Sequence, residues 1–199
     1  MKVGVFGGTF DPIHNGHLIM ASFIHDEMKL DKILFLPSEN PPHKTNKKIT
    51  DEKIRAEMVD TAIKNDSRFD LSLIEHGGSE PDYTYNTMSK LCAANPQNEY
   101  YFIIGGDSLR SIESWYRFEE LMQLIQFIVI DRISRDEKPL VDLVEKFKTW
   151  SKGIHYLNMP LIELSSTLIR TRVKEHKSIA YMTPNEVIEI IEKNGLYDE

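Results

Sequence analysis

Short runs of apolar residues alternate along the chain with longer stretches of helical periodicity. KVGVF (2–6), KILFL (32–36), FDLSLI (69–74), EYYFII (99–104), QFIVI (126–130) and IHYL (154–157) are compact, β-branched or aromatic, and predict buried strands. Helical patterns fall between and after them, near 16–28, 51–65, 85–94, 117–123, 139–150, 166–175 and 184–193. In the first of these, Leu18, Ile19, Ala21, Ile24 and Met28 recur at a spacing that puts one face inward. Strict alternation of this kind requires crossover connections. It predicts a Rossmann-like α/β fold: a doubly wound, mainly parallel sheet with helices on both faces. The last helix carries its own start and stop: Thr183 as N-cap, Pro184 at the first helical position, Glu186 completing a capping box, and Gly195 closing the end. Residues 37–50, PSENPPHKTNKKIT, form the longest irregular stretch and read either as a loop over a ligand site or as a plain surface loop.

In such sheets, ligands sit beyond the carboxyl ends of the strands. The exits to collect are GGTFD after the first strand, PSENPPHK after the second, GGDS after the fourth, DRIS after the fifth and ELSST after the sixth. At the first exit, Gly7 and Gly8 are read as a tight turn that brings backbone N–H groups close to an anion. His14 and His17 follow, three apart at a helix start, where both imidazoles can share a face with unpaired amides and a partial positive charge. Phosphate suits that setting. A lone histidine is more often a satisfied polar side chain, and a zinc site is a weak rival, since the chain has one cysteine and no HExxH. GxxxxGK[ST] and GxGxxG are both absent, which argues against a P-loop enzyme and a dehydrogenase.

The remaining exits add polar groups with ordinary alternatives. Ser165, Ser166 and Thr167 look like a capping cluster, and Arg170, one turn on, can extend a guanidinium fork toward an anion held there. Gly105, Gly106 and Asp107 are a turn or, with the aspartate as acceptor, a ribose site. Trp115 and Tyr116 lie in a polar context, SIESWYRFEE, where a ring could stack on a pyridine.

Composition narrows the class. The chain has 199 residues, enough for a core, and nothing separates a second domain, so 1–199 is read as one. Its 24 basic and 31 acidic residues give a net charge of −7, which disfavours nucleic acid and anionic membranes and demands a locally basic site or a divalent metal for any polyanion. Cys92 has no partner, and the start MKVGVFGGTFD lacks a signal-peptide core, so a cytoplasmic protein without a membrane anchor is expected.

GTFDPIHNGH and the later SSTLIR (Ser165–Arg170) resemble the two signatures of the HxGH nucleotidyltransferase superfamily. PPHK at Pro41–Lys44, IRAEM at Ile54–Met58, DYTYNT at Asp82–Thr87, FIIGGDSL with SWYRFEEL within Phe102–Leu121, and YMTPNEVIEIIEKNGLY at the end are similar to the bacterial nicotinate mononucleotide adenylyltransferase family. The resemblance implies transfer of the adenylyl group of ATP to nicotinate mononucleotide, with magnesium carried mainly by the ATP. By the same resemblance His14, His17 and Arg170 act at the phosphates. Gly7, Gly8, Thr9, Phe10, Gly105, Gly106, Asp107 and Ser165–Thr167 hold ATP, while Lys44, Thr84, Tyr85, Trp115, Tyr116 and Arg132 meet the mononucleotide. Asp11 is expected to order its own loop, and Arg55 to be structural or substrate-facing. Two departures stand out: Asp82-Tyr83-Thr84 where the family usually has Ser-Tyr-Thr, and Ile133-Ser134 after Arg132 where Pro-Gly is common. Alternatives are an adenylyltransferase for nicotinamide mononucleotide or 4′-phosphopantetheine, or a nucleotide-binding regulator without turnover. The oligomeric state, a homodimer among the options, stays open.

Overall fold

The computed structural model describes residues 1–39, 49–75, 82–132 and 140–198, with the side chains of 131 and 132 left aside. Six strands form one sheet in the order β3-β2-β1-β4-β5-β6, and every neighbouring pair is parallel. The strands are β1 (Lys2–Gly8), β2 (Lys32–Pro37), β3 (Phe69–Leu71), β4 (Glu99–Gly105), β5 (Gln126–Arg132) and β6 (Ile154–Met159). Between and after them run α1 (Asn15–Met28), α2 (Glu52–Ile63), α3 (Thr84–Ala94), α4 (Gly106–Arg110), α5 (Phe118–Leu124), α6 (Val141–Lys148), α7 (Ser166–Lys174) and α8 (Asn185–Lys193). The expected doubly wound sheet is therefore present, and its order reverses between β1 and β4. That is the switch point where a crevice opens.

Side chains on a strand alternate between faces, and a parallel sheet covered on both sides needs apolar residues on each. In β4, Tyr101 and Ile103 join one core with Ile24, Met58 and Val187, while Tyr100, Phe102 and Ile104 join the other with Met88, Leu121 and Phe147. β5 divides in the same way, Ile128 and Ile130 against Phe127 and Val129. Helices α1, α2 and α8 contribute to the first core, and α3, α5 and α6 to the second.

Three details differ from the sequence reading. β3 stops at Leu71 rather than continuing to 74; it pairs only with β2, so no second neighbour extends it. After β4 the chain makes the short helix α4 and a 3-10 turn at Ile112–Ser114, where no helix was expected. Pro184, not Thr183, caps α8, because the Thr183 hydroxyl is buried and donates to the carbonyl of Ile13 at 2.8 Å.

Phe35 on β2 is fully buried and its ring meets those of Phe6, Phe10 and Phe69 at centroid distances of 5.5, 5.8 and 5.4 Å. Phe35→Ala would remove the centre of this cluster, and urea unfolding is expected to show a loss of about 3–5 kcal/mol.

Candidate active site

The last residues of β1 are Gly7 and Gly8, and they remain in the strand. The sequence reading had them as a turn. Their lack of a side chain serves close packing instead: a Cβ at Gly8 would come within 2.9 Å of the Phe10 ring, and one at Gly7 within 3.2 Å of Phe102. The chain turns at Phe10, which is buried with φ of 48°, and then passes through a cis peptide between Asp11 and Pro12.

Residues 9–15 are held by groups from distant parts of the chain. The Thr9 carbonyl accepts from Arg55 Nη1 at 2.8 Å, that of Asp11 from Arg170 Nη1 at 2.6 Å, that of Pro12 from the Ser166 hydroxyl at 2.8 Å, and that of Ile13 from Thr183. The Asp11 carboxylate, also buried, accepts from the Tyr197 hydroxyl at 2.6 Å and from the Thr50 amide at 3.4 Å. Asn15 donates its backbone N–H to Met182 and its side-chain amide to Tyr181. Asp11 thus orders its loop as expected, and Arg55 proves structural: it is 1% exposed, with its other bonds on Thr50 and Ser38 carbonyls. Burial pushes the Arg55 pKa down while Asp11, Glu52 and Asp51 hold it up; burial and the adjacent Asp11 charge raise that of the Tyr197 hydroxyl.

This loop delivers two histidines to the start of α1. His14 is the N-cap and His17 the third helical residue, with rings stacked at 3.6 Å and 22°. The His14 backbone N–H donates to His17 Nδ1 at 3.2 Å, so a neutral His17 carries its proton on Nε2. Phe10 and Phe6 meet the His17 ring edge-on at 5.0 and 5.9 Å. His14 is 5% exposed and lies behind His17, which borders the cavity.

That cavity, of about 450 Å³, opens at the β1/β4 switch point. Gly7, Gly8, Thr9, His17 and Met20 line it from the β1 side, and Phe102, Gly105, Ser108 and Trp115 from the β4 side. Leu36, Ser38, Glu75, Asp82 and Thr84 also line it. Trp115 packs edge-on against Phe102 at 6.2 Å. Gly105 ends β4, and among the described residues nothing lies within 4 Å of where its Cβ would stand.

Several candidates lie elsewhere. Gly106 and Asp107 open α4, but Ser108 rather than Asp107 reaches the cavity. Ser165 caps α7 by accepting from the Leu168 amide, and Thr167 accepts from Arg170 Nη2 at 3.2 Å. Arg170 therefore grips the Asp11 loop and borders a second depression of about 600 Å³ with Thr50, Lys174 and Tyr197, instead of extending into the first. Tyr116 is half exposed, its ring 4.7 Å from that of Tyr83; Tyr85 lies under the Arg117 guanidinium at 4.1 Å, on another surface with Gln123 and Trp150. Lys44 and Ile133-Ser134 lie outside the described residues, and for Arg132 only the backbone, ending β5, is described.

Glu75 was missed. It is 9% exposed, accepts from the Thr87 hydroxyl at 2.6 Å, and burial raises its pKa to about 7, reinforced by Asp82. The exit rule applied to the third strand would have pointed to it.

The family described as cytidylyltransferase-like matches residues 5–172. A nicotinate-nucleotide adenylyltransferase of Bacillus subtilis (strain 168) is 40% identical over 197 residues, covering 99% of this chain and 98% of that one. A probable nicotinate-nucleotide adenylyltransferase of Clostridium novyi (strain NT) is 39% identical over 197 residues and 98% of each chain. The chain belongs to the nicotinate-nucleotide adenylyltransferase family. Among solved structures, the nicotinic acid mononucleotide adenylyltransferase of Plasmodium falciparum complexed with NaAD superimposes with a TM-score of 0.80 over 99% of this chain and 97% of that one, at 23% identity. For this member of the family that likeness supports the fold.

The hydroxyl of Tyr197 is a contact whose removal leaves the carboxylate of Asp11 short of a buried donor. Tyr197→Phe is expected to cost about 1.5–3 kcal/mol in chemical denaturation, the range for a hydrogen bond to a charged group.

Proposed function

We propose that this protein transfers the adenylyl group of ATP to nicotinate mononucleotide, forming nicotinate adenine dinucleotide and pyrophosphate. The observation that carries the reading is the orientation of His17. With Nδ1 occupied by the His14 amide and the ring bordering the cavity at a helix N-terminus, its Nε2–H is a fixed donor for an α-phosphate oxygen.

A phosphate oxygen of the mononucleotide attacks the α-phosphorus in line. One P–O bond forms, the α–β bridging bond breaks, and pyrophosphate leaves with its electron pair. The attacking phosphomonoester is already largely ionised near neutral pH, so no enzyme nucleophile is needed and a general base has little to do. The protein's work is alignment, worth up to about 7–11 kcal/mol, and neutralisation of charge on the phosphoryl oxygens. His14 keeps the His17 ring in place. Arg170 and Ser166 act through the loop carbonyls they hold, which sets the position of α1.

Magnesium enters as part of the nucleotide substrate. Among the described residues no three His, Cys, Asp or Glu side chains cluster to hold a metal, and Thr9, Ser38 and Ser108 bring hydroxyls to the cavity that suit phosphate oxygens. The pyridine ring lies on Trp115, with its carboxylate at the N-terminal amides of α3, which begins at Thr84. A cytoplasmic enzyme of NAD synthesis is the setting we assign. Among the described residues no helix is long and apolar enough to cross a membrane, and Cys92 is a free thiol.

The decisive assay is pyrophosphate release from magnesium–ATP with nicotinate mononucleotide, nicotinamide mononucleotide and 4′-phosphopantetheine offered separately. Fast release with the first is expected; release only with another acceptor would replace the substrate, and none in folded, ATP-binding protein would leave a regulator. His17→Ala is expected to lower kcat by about 10²–10³-fold, the loss typical of one transition-state donor, with a much smaller change in ATP affinity. Equal losses in both would remove the transition-state role.

A further inference from the structure

The cavity wall carries two acids that phosphate chemistry does not use. Glu75 follows β3 and Asp82 precedes α3, and both line the cavity together with Thr84. An anionic ring substituent seated at the start of α3 would share this low-dielectric space with them. Like charges there are far more costly than in water.

Glu75 is built to exist in either protonation state. As a carboxylate it accepts from the Thr87 hydroxyl at 2.6 Å. That hydroxyl also lies 3.4 Å from the carbonyl of Tyr83, the residue that caps α3. A protonated Glu75 can therefore donate to Thr87 while Thr87 donates to Tyr83, and no buried group loses its partner. Thr87 is 4% exposed, so the pair is shielded from solvent.

We propose that Glu75 is a specificity-determining residue at the pyridine end of the site: as a neutral acid it admits an anionic ring substituent, and as a carboxylate beside Asp82 it repels one. The inference rests on the acceptor being a pyridine mononucleotide. Among the described residues, the charged groups acting on Glu75 are Asp82 ahead of α3, Lys90 on α3 and Glu39 after β2; His17 borders the same cavity from α1. Burial is the largest influence and raises the pKa of Glu75 to about 7; Asp82 and Glu39 add to it, while Thr87 and Lys90 oppose it. The switch therefore falls near neutral pH. Acid and amide mononucleotides differ only in that substituent, so discrimination between them becomes pH-dependent.

The test is the KM of nicotinate mononucleotide divided by that of nicotinamide mononucleotide, at saturating magnesium–ATP, from about pH 6 to about pH 8.5. Both substrates carry the same phosphate, so ionisation of that group cancels in the ratio, and Glu75→Gln separates Glu75 from every other group on the cavity. In the wild type the ratio is expected to rise about tenfold as Glu75 ionises, equivalent to ~1.4 kcal/mol. Glu75→Gln is expected to flatten the profile. Thr87→Val, which removes a bond favouring the carboxylate, is expected to move the rise to higher pH, and it carries the test if the glutamine variant does not fold. A constant ratio in the wild type, or an unchanged rise in Glu75→Gln, overturns the proposal while leaving the acid as substrate. Absence of turnover with either mononucleotide overturns the substrate reading as well.

Discussion

A buried aspartate in a loop of irregular backbone is the constraint on which the rest of the site depends. Asp11 offers a carboxylate to Tyr197 and Thr50 and a carbonyl to Arg170, and the carbonyls around it are taken by Arg55, Ser166 and Thr183. A backbone that belongs to neither helix nor sheet has to satisfy its polar groups by other means, and here side chains do so almost carbonyl by carbonyl. The result fixes where α1 begins. It also fixes the stacked imidazoles, since His14 is both the cap of that helix and the donor to His17.

Charge is organised around the same loop. Arg55 is fully enclosed, with Asp11 among the acids that hold up its pKa, and its three described bonds go to carbonyls on Thr9, Ser38 and Thr50. One guanidinium thus ties the exit of β1 to the exit of β2 and to the approach to α2. The cavity between β1 and β4 consequently has one wall braced by cations turned away from it, while its own lining includes acids at Glu75 and Asp82.

Much of this was legible in the chain. Compact apolar runs gave all six strands, because a strand covered on both faces must be apolar at nearly every position, as Phe102, Ile103 and Ile104 are. The helix starting at the histidines and the cap at Ser165 were also readable from local chemistry. Harder to read were interactions across long separations. Nothing near Thr183 says that its hydroxyl serves Ile13 rather than its own helix, and nothing in SSTLIR says that Arg170 reaches back to residue 11. The turn read at Gly7 and Gly8 is strand instead, and a ring two residues on excludes a side chain at Gly8. Glu75 was hidden by its ordinary local context.

The span of the Asp11 contacts bears on how the enzyme comes into being. The Tyr197 hydroxyl and the Asp11 carboxylate are 186 residues apart, and Arg170 and Ser166 are 159 and 154 residues from their partners. A chain emerging from the ribosome exposes β1, β2 and β4 long before any of these groups exists, so the loop cannot complete its contacts until the last elements are made. The geometry of the candidate site is thus among the last features to be completed.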